Sequence, residues 1–141
     1  MEVFSFSTQM QYSPKHSCVG KALNAEKYEW SEEEIKRRKI AARIHINFVC
    51  ELYRVQIDNG RYFLHEHPDT ARSWQLKEMM ELLAHHSVIR TKGHMCRYGM
   101  TSTDKEGVGM VLKPTGWATN SQHIADAVSE LCTNKHSATP H

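Results

Sequence analysis

Apolar residues recur at helical spacing between residues 31 and 58, at successive steps of four, four, four and three. The stripe consists of Ile40, Ile44, Phe48, Leu52 and Val55, and Ile46, Val49 and Tyr53 widen it. Ser31 and Glu34 form a capping box before this run, and Asn59-Gly60 follows it. We therefore predict one long helix from about Ser31 to Asp58 whose stripe packs against a sheet.

A short apolar run follows the helix, from Tyr62 to Glu66, and Pro68 stops it. This pattern is typical of a buried parallel strand whose C-terminal end opens into a site. Asp69 or Thr70 is expected to cap a second helix that ends near residues 85–86. The inner face of that helix is predicted to carry Trp74, Met79, Leu82 and Leu83.

The remaining elements are shorter. Residues 88–90 form a weak predicted strand, and residues 108–112 form another that Pro114 closes. Asn120 or Ser121 is expected to cap a last helix. Its inward residues are predicted to be Ile124, Val128 and Leu131. The order helix, strand, helix, strand, strand, helix indicates an α/β fold.

We divide the chain into an irregular leader over residues 1–30, an α/β unit over residues 31–132 and a flexible tail over residues 133–141. The 141 residues are enough for one domain.

The composition of the chain excludes several classes of protein. The net charge of +2 excludes a chain that binds nucleic acid by bulk charge. No stretch is long and apolar enough to suggest a membrane span, and no export signal is apparent. The four cysteines are widely spaced without a C-x-x-C pair, which indicates reduced thiols in an intracellular protein. Nucleus and cytoplasm are equally compatible with this composition.

The densest chemical feature is His65-Glu66-His67, at the end of the predicted strand. Strand alternation places the two histidines on one face and Glu66 on the other. Ligands of open α/β sheets bind beyond the carboxyl ends of the strands, so Glu66 is a candidate acid or hydrogen-bond acceptor. The alternative is that Glu66 accepts backbone N–H groups at the next helix start while the histidines pack in the core.

Two further clusters have structural explanations that we favour. His65, His67, His94 and Cys96 are ligand types that bind zinc, but they lack the local spacing of zinc motifs, so we predict no metal site. The basic run at residues 36–39 follows three glutamates that can pair with it at helical spacing. A solvated helix start is therefore favoured over a phosphate-binding patch.

Several segments together resemble a methyltransferase-like module of retrotransposon polyproteins, related to cytosine-5 DNA methyltransferases. The similarity covers about residues 40–125 and rests on L-Y-R-x-Q from Leu52, G-R-Y-F-L-H-E-H-P from Gly60, S-W at Ser73, M-C-R-Y-G-M from Met95 and K-P-T-G-W-A-T-N from Lys113. The resemblance implies the C-terminal half of a Rossmann-type methyltransferase-like sheet flanked by helices.

The resemblance also implies roles for residues. Glu66 would hydrogen-bond N3 of a flipped cytosine, and His65 and His67 would contact the substrate. Cys18 would be the nucleophile that attacks C6, although S-P-K-H-S-C-V-G departs from the expected S-P-x-C-T-x-F-S.

The half that would bind S-adenosylmethionine, with its glycine-rich turn and acidic ribose ligand, has no counterpart in this sequence. We therefore predict a truncated, inactive, mobile-element-derived DNA methyltransferase-like domain that binds no cofactor alone. Its expected partners are DNA, the missing N-terminal half or a second copy. A non-catalytic module that associates with nucleic acid or protein is the first alternative, and a metal-dependent hydrolase is the second.

Overall fold

The computed structural model describes residues 3–6, 30–105 and 107–133. Its helices and strands, in chain order, are β1 (Val3–Phe6), α1 (Glu32–Asp58), β2 (Tyr62–Pro68), α2 (Lys77–Leu83), β3 (Ile89–His94), β4 (Thr101–Asp104), β5 (Gly107–Met110), β6 (Pro114–Thr119) and α3 (Gln122–Ala127). Short 3-10 turns span Arg72–Gln75 and Met95–Tyr98. The fold is mixed α/β, as predicted.

Four of the strands form one sheet in the order β1-β2-β6-β3. β1 is parallel to β2, whereas β6 is antiparallel to both β2 and β3. The expected parallel environment of β2 is therefore present on one side only. β4 and β5 form a separate antiparallel pair. β1 lies within residues 1–30, for which the sequence predicts an irregular leader.

The long helix forms over the predicted residues. The hydroxyl of Ser31 accepts a hydrogen bond from the backbone N–H of Glu34 at 3.3 Å, as a capping residue should. Gly60, two residues after the helix ends, has φ 64°, a conformation that glycine adopts without strain. Local signals therefore determine both ends of α1.

The predicted inner face of α1 is wrong. Ile40, Ile44, Phe48 and Val55 are 53%, 64%, 53% and 47% exposed. The buried residues of the helix are Ala42, Ile46, Val49, Cys50 and Tyr53. At 3.6 residues per turn these two sets lie on opposite sides of the helix. The buried side brings Tyr53 onto β2, where its ring stacks on Phe63 with centroids 4.3 Å apart.

The core lies between one face of the sheet and the helices α1 and α2. Its buried residues are Ile46, Val49, Cys50, Tyr53, Phe63, Trp74, Met79, Leu82 and Ala118. Asp69 does not cap α2, because its carboxylate bonds Arg90 and Lys92, each at 3.1 Å. The helix begins later, after Leu76, which makes no side-chain cap. The predicted cap of α2 is therefore wrong.

The region after residue 110 also differs from the prediction. Pro114 begins β6 rather than closing a strand, and β6 pairs on both sides. Proline at the first position of a strand is tolerated, since no ladder hydrogen bond is lost within the strand. Ser121 precedes α3 without a side-chain cap, and Leu131 lies beyond the helix and is 52% exposed. Most of the predicted tail, residues 134–141, lies outside the described residues.

Among the residues that the structure describes, no helix combines the length and the apolar character that crossing a lipid bilayer requires.

Candidate functional site at the carboxyl edge of the sheet

Three strands end at the same edge of the sheet. β1 is parallel to β2, and β2 and β3 are both antiparallel to β6, so β1, β2 and β3 all run in one direction. Ligands of open α/β sheets bind beyond such carboxyl ends. The described chain places Glu66 and His67 from β2, His94 from β3 and Lys113 from the loop before β6 at this edge.

Glu66 is held by an ion pair that spans the edge. Lys113 Nζ donates to Glu66 Oε1 at 3.2 Å. The Lys113 and Glu66 side chains are only 24% and 19% exposed, so water screens the pair less than at an open surface. The two side chains meet because Lys113 immediately precedes β6, and β6 pairs with β2. Glu66, a candidate hydrogen-bond acceptor from the sequence, therefore accepts from this lysine.

The surroundings of Glu66 contain an unsatisfied donor. Trp117 lies directly opposite Glu66 in the register of β2 and β6. Its indole Nε1 is buried and has no hydrogen-bond partner among the described residues. Directly opposed residues of an antiparallel pair share one face of the sheet. The face that carries Glu66 thus combines a carboxylate, an ammonium group and an indole.

His65 and His67 lie on the other face and are almost completely buried, at 4% and 8% exposure. His65 Nδ1 is 3.1 Å from the hydroxyl of Tyr53, and its ring meets Trp74 edge-on at 5.2 Å. No hydrogen bond joins either imidazole to the Glu66 carboxylate, which Lys113 contacts instead. Their contact with a substrate stays a prediction, and the structure places both in the core.

Burial controls the charge of these imidazoles. It lowers the pKa of His65 from 6.5 to about 3, with a smaller contribution from the neighbouring His67 and His45. Burial also lowers the pKa of His67. Both side chains are consequently neutral at pH 7. His65 Nε2 is buried without a partner among the described residues, so a proton there would gain no hydrogen bond.

The remaining candidate residues either have other partners or lie outside the described residues. Cys18 lies outside the described residues. His94 lies at the same edge as Glu66, and its Nδ1 accepts the backbone N–H of Cys132 at 3.0 Å. Within the described ranges, no three His, Cys, Asp or Glu side chains are placed to hold a metal ion. The alternative of zinc shared by His65, His67, His94 and Cys96 therefore has no support there.

Part of the basic run on α1 is paired locally. Arg37 Nη2 lies 2.6 Å from Glu34 Oε2, and Arg38 Nε donates to the other oxygen of the same carboxylate. These contacts confirm the predicted pairing for two of the four cations and for one of the three preceding glutamates.

Sequence reasoning named Asn120 and Lys113 but missed the contacts that they make. The Asn120 side chain accepts from the backbone N–H of Phe63 at 3.0 Å and donates to the carbonyl of Arg61 at 2.9 Å, which ties α3 to the start of β2. Lys113 pairs with a carboxylate 47 positions away. The segment K-P-T-G-W-A-T-N contains both residues, but no local pattern reveals their partners.

No protein-family model, curated protein or solved structure matches the chain. Its function must therefore be argued from the sheet and from the edge that carries Glu66.

Proposed function

We propose that this chain is the base-contacting half of a DNA (cytosine-5) methyltransferase-like domain, in which Glu66 receives an extruded cytosine. The order β1-α1-β2-α2-β3 with its three parallel strands supports the proposal. A β-α-β-α-β unit is one half of a doubly wound nucleotide-binding sheet. This order of strands and helices is the main support for the proposal, because it does not depend on the sequence motifs that suggested the resemblance.

The positions of the helices agree with such a half. α1 and α2 contact each other and share one core against a single face of the sheet. Successive right-handed crossovers that step in one direction place their helices on the same face. The reversed strand β6 lies inside the sheet, between β2 and β3, and departs from a purely parallel half.

The chemistry at the edge suits a cytosine. Carboxylate side chains accept hydrogen bonds from the N4 amino group of cytosine. The Glu66 carboxylate has one oxygen engaged by Lys113 at 3.2 Å. Its second oxygen is the acceptor that we assign to the base, and the lysine restricts the orientation of the carboxylate. A base taken out of the stack is recognised by such contacts to its Watson–Crick edge.

The described loops do not fit S-adenosylmethionine. β2 ends at Pro68 and is followed by a 3-10 turn, and β3 leads directly into a second 3-10 turn. Neither connection is the glycine-rich strand-to-helix turn that cradles such a cofactor. We therefore assign cofactor binding to a complementary half and derive no methyl-transfer step from this chain.

DNA binding tests the proposal. Fluorescence anisotropy would compare a labelled duplex that contains one mismatched cytosine with the fully paired duplex, because a mismatched base is easier to extrude. We expect tighter binding of the mismatched duplex, loss of that preference in Glu66→Gln, and retention in Glu81→Gln, which alters an exposed glutamate on α2. Equal binding of both duplexes by the wild-type chain would refute the role of Glu66.

A separate titration addresses the cofactor. Calorimetry of the chain with S-adenosylmethionine should detect no binding at micromolar concentrations. Measurable micromolar binding would show that a cofactor site exists in this chain, and the half-domain proposal would be wrong.

A further inference from the structure

We propose that two copies of this chain associate through the outer face of α1, with the two helices crossing in antiparallel orientation at Ile44. The starting observation is that α1 has two apolar faces. One packs on the sheet, and the other exposes Ile40, Ile44 and Phe48 at 53%, 64% and 53%. Contiguous exposed apolar side chains, unlike single ones, mark interaction surfaces.

The outer face is symmetric in spacing about Ile44. Ile40 and Phe48 lie four positions before and after it. Arg37 and Glu51 lie seven positions before and after it, so they fall on the same side of the helix two turns away. The outer face therefore reads Arg, Ile, Ile, Phe, Glu at steps of three, four, four and three.

This symmetry is what a two-fold interface requires. In such an interface, when residue i contacts residue j of the second copy, residue j contacts residue i of that copy. Antiparallel crossing at Ile44 places Ile40 against Phe48 of the second copy and brings the two Ile44 side chains together. Residues at steps of four form a ridge, and two such ridges interdigitate at the commonest crossing angle of helices.

Charge complementarity favours a second copy over an unrelated partner. The same crossing brings Arg37 against Glu51 of the other chain, twice. Arg37 is 78% exposed, and its contact with Glu34 leaves further N–H groups of the guanidinium free to bind. Glu51 is exposed and makes no ion pair with any other described residue. A parallel arrangement would instead oppose like charges.

This association is separate from base recognition, because the outer face of α1 lies on the side of the helix away from the sheet and from Glu66. Dimer formation and DNA binding can consequently fail independently. If the chain showed no preference for mismatched DNA, the proposed association of two copies would still stand. If the chain were monomeric, the proposed role of Glu66 in base recognition would still stand.

Sedimentation equilibrium of the full chain under reducing conditions tests the association. We expect a reversible dimer at about 100 μM. Ile44→Glu should weaken the dimer at least about tenfold, as removal of a central contact does. Val108→Glu is the matched control, since Val108 is 65% exposed but lies on β5. A monomeric wild type, or a dimer unaffected by Ile44→Glu, would overturn the proposal.

Charge reversal tests the antiparallel register. Arg37→Glu and Glu51→Arg should each weaken the homodimer, because like charges then face each other. An equimolar mixture of the two variants should form heterodimers, since every pair across the crossing again has opposite charges. Circular dichroism would verify that both variants keep the helix. Failure of the folded variants to associate on mixing would refute this register and with it the symmetric crossing.

Discussion

Acidification from pH 7 to pH 5 is expected to destabilise the fold through His65. The imidazole is buried between Tyr53 and Trp74. Burial holds its pKa at about 3 in the folded chain, whereas the ordinary value is 6.5. The unfolded chain therefore binds a proton below pH 6.5 that the folded chain does not accept. Because the unfolded state binds more protons in this range, the stability decreases as the pH falls.

The magnitude follows from the difference in pKa. Each pKa unit corresponds to about 1.4 kcal/mol. pH 5 is about 1.5 units below the pKa of the imidazole in the unfolded chain. Protonation of His65 in the unfolded chain therefore lowers the free energy of unfolding by roughly 2 kcal/mol. The loss increases until the pH approaches about 3, where the folded imidazole also gains a proton. The lowered pKa of His67 acts in the same direction.

Urea denaturation at pH 7, 6 and 5 measures this loss. His65→Gln removes the titrating group and leaves a side chain that can still bond the Tyr53 hydroxyl. Between pH 7 and pH 5, the free energy of unfolding of this variant should therefore fall by about 2 kcal/mol less than that of the wild type. Tyr53→Phe is the control. It removes the hydrogen bond at 3.1 Å but keeps the burial, so it should lower stability at every pH and retain the wild-type slope.

Two results would refute the reasoning. One is an identical pH dependence in the wild type and in His65→Gln. The other is a His65 imidazole resonance that titrates near pH 6.5 in the folded protein, because that would show the side chain in contact with water.

Three other changes probe the packing and the thiols. Gly93→Ala should lower the free energy of unfolding, measured by thermal unfolding, by roughly 1–3 kcal/mol, because a Cβ there would overlap a backbone carbonyl just after α3. Gly109→Ala is the control: its Cβ would meet nothing within 4 Å, so the free energy of unfolding should change little. Thr119→Val should cost roughly 1–2 kcal/mol, since it removes a buried hydroxyl that donates to a β2 carbonyl at 2.6 Å, and an unchanged melting temperature would contradict this. Maleimide labelling followed by peptide mapping should modify Cys132 at least about tenfold faster than Cys50, whose pKa burial raises to about 11, and equal rates would show that the core opens readily.

The candidate site was only partly accessible to sequence reasoning. Strand alternation correctly separated Glu66 from His65 and His67, because the two-residue period depends only on the local backbone. The partner of Glu66 was not accessible. Lys113 reaches it only because β6 returns antiparallel beside β2, and the register of that pairing is a property of the whole sheet.

The sequence by itself determined the extent of α1, whose cap at Ser31 and stop at Gly60 are local hydrogen-bonding and backbone preferences. Only the tertiary structure decided which face of that helix is buried. Both faces are apolar, so hydrophobicity alone does not distinguish them. The choice depends on shape: small Ala42 and Cys50 allow close approach, and Tyr53 reaches the ring of Phe63. Complementarity between distant segments is a three-dimensional property, and it is absent from the spacing of residues along one helix.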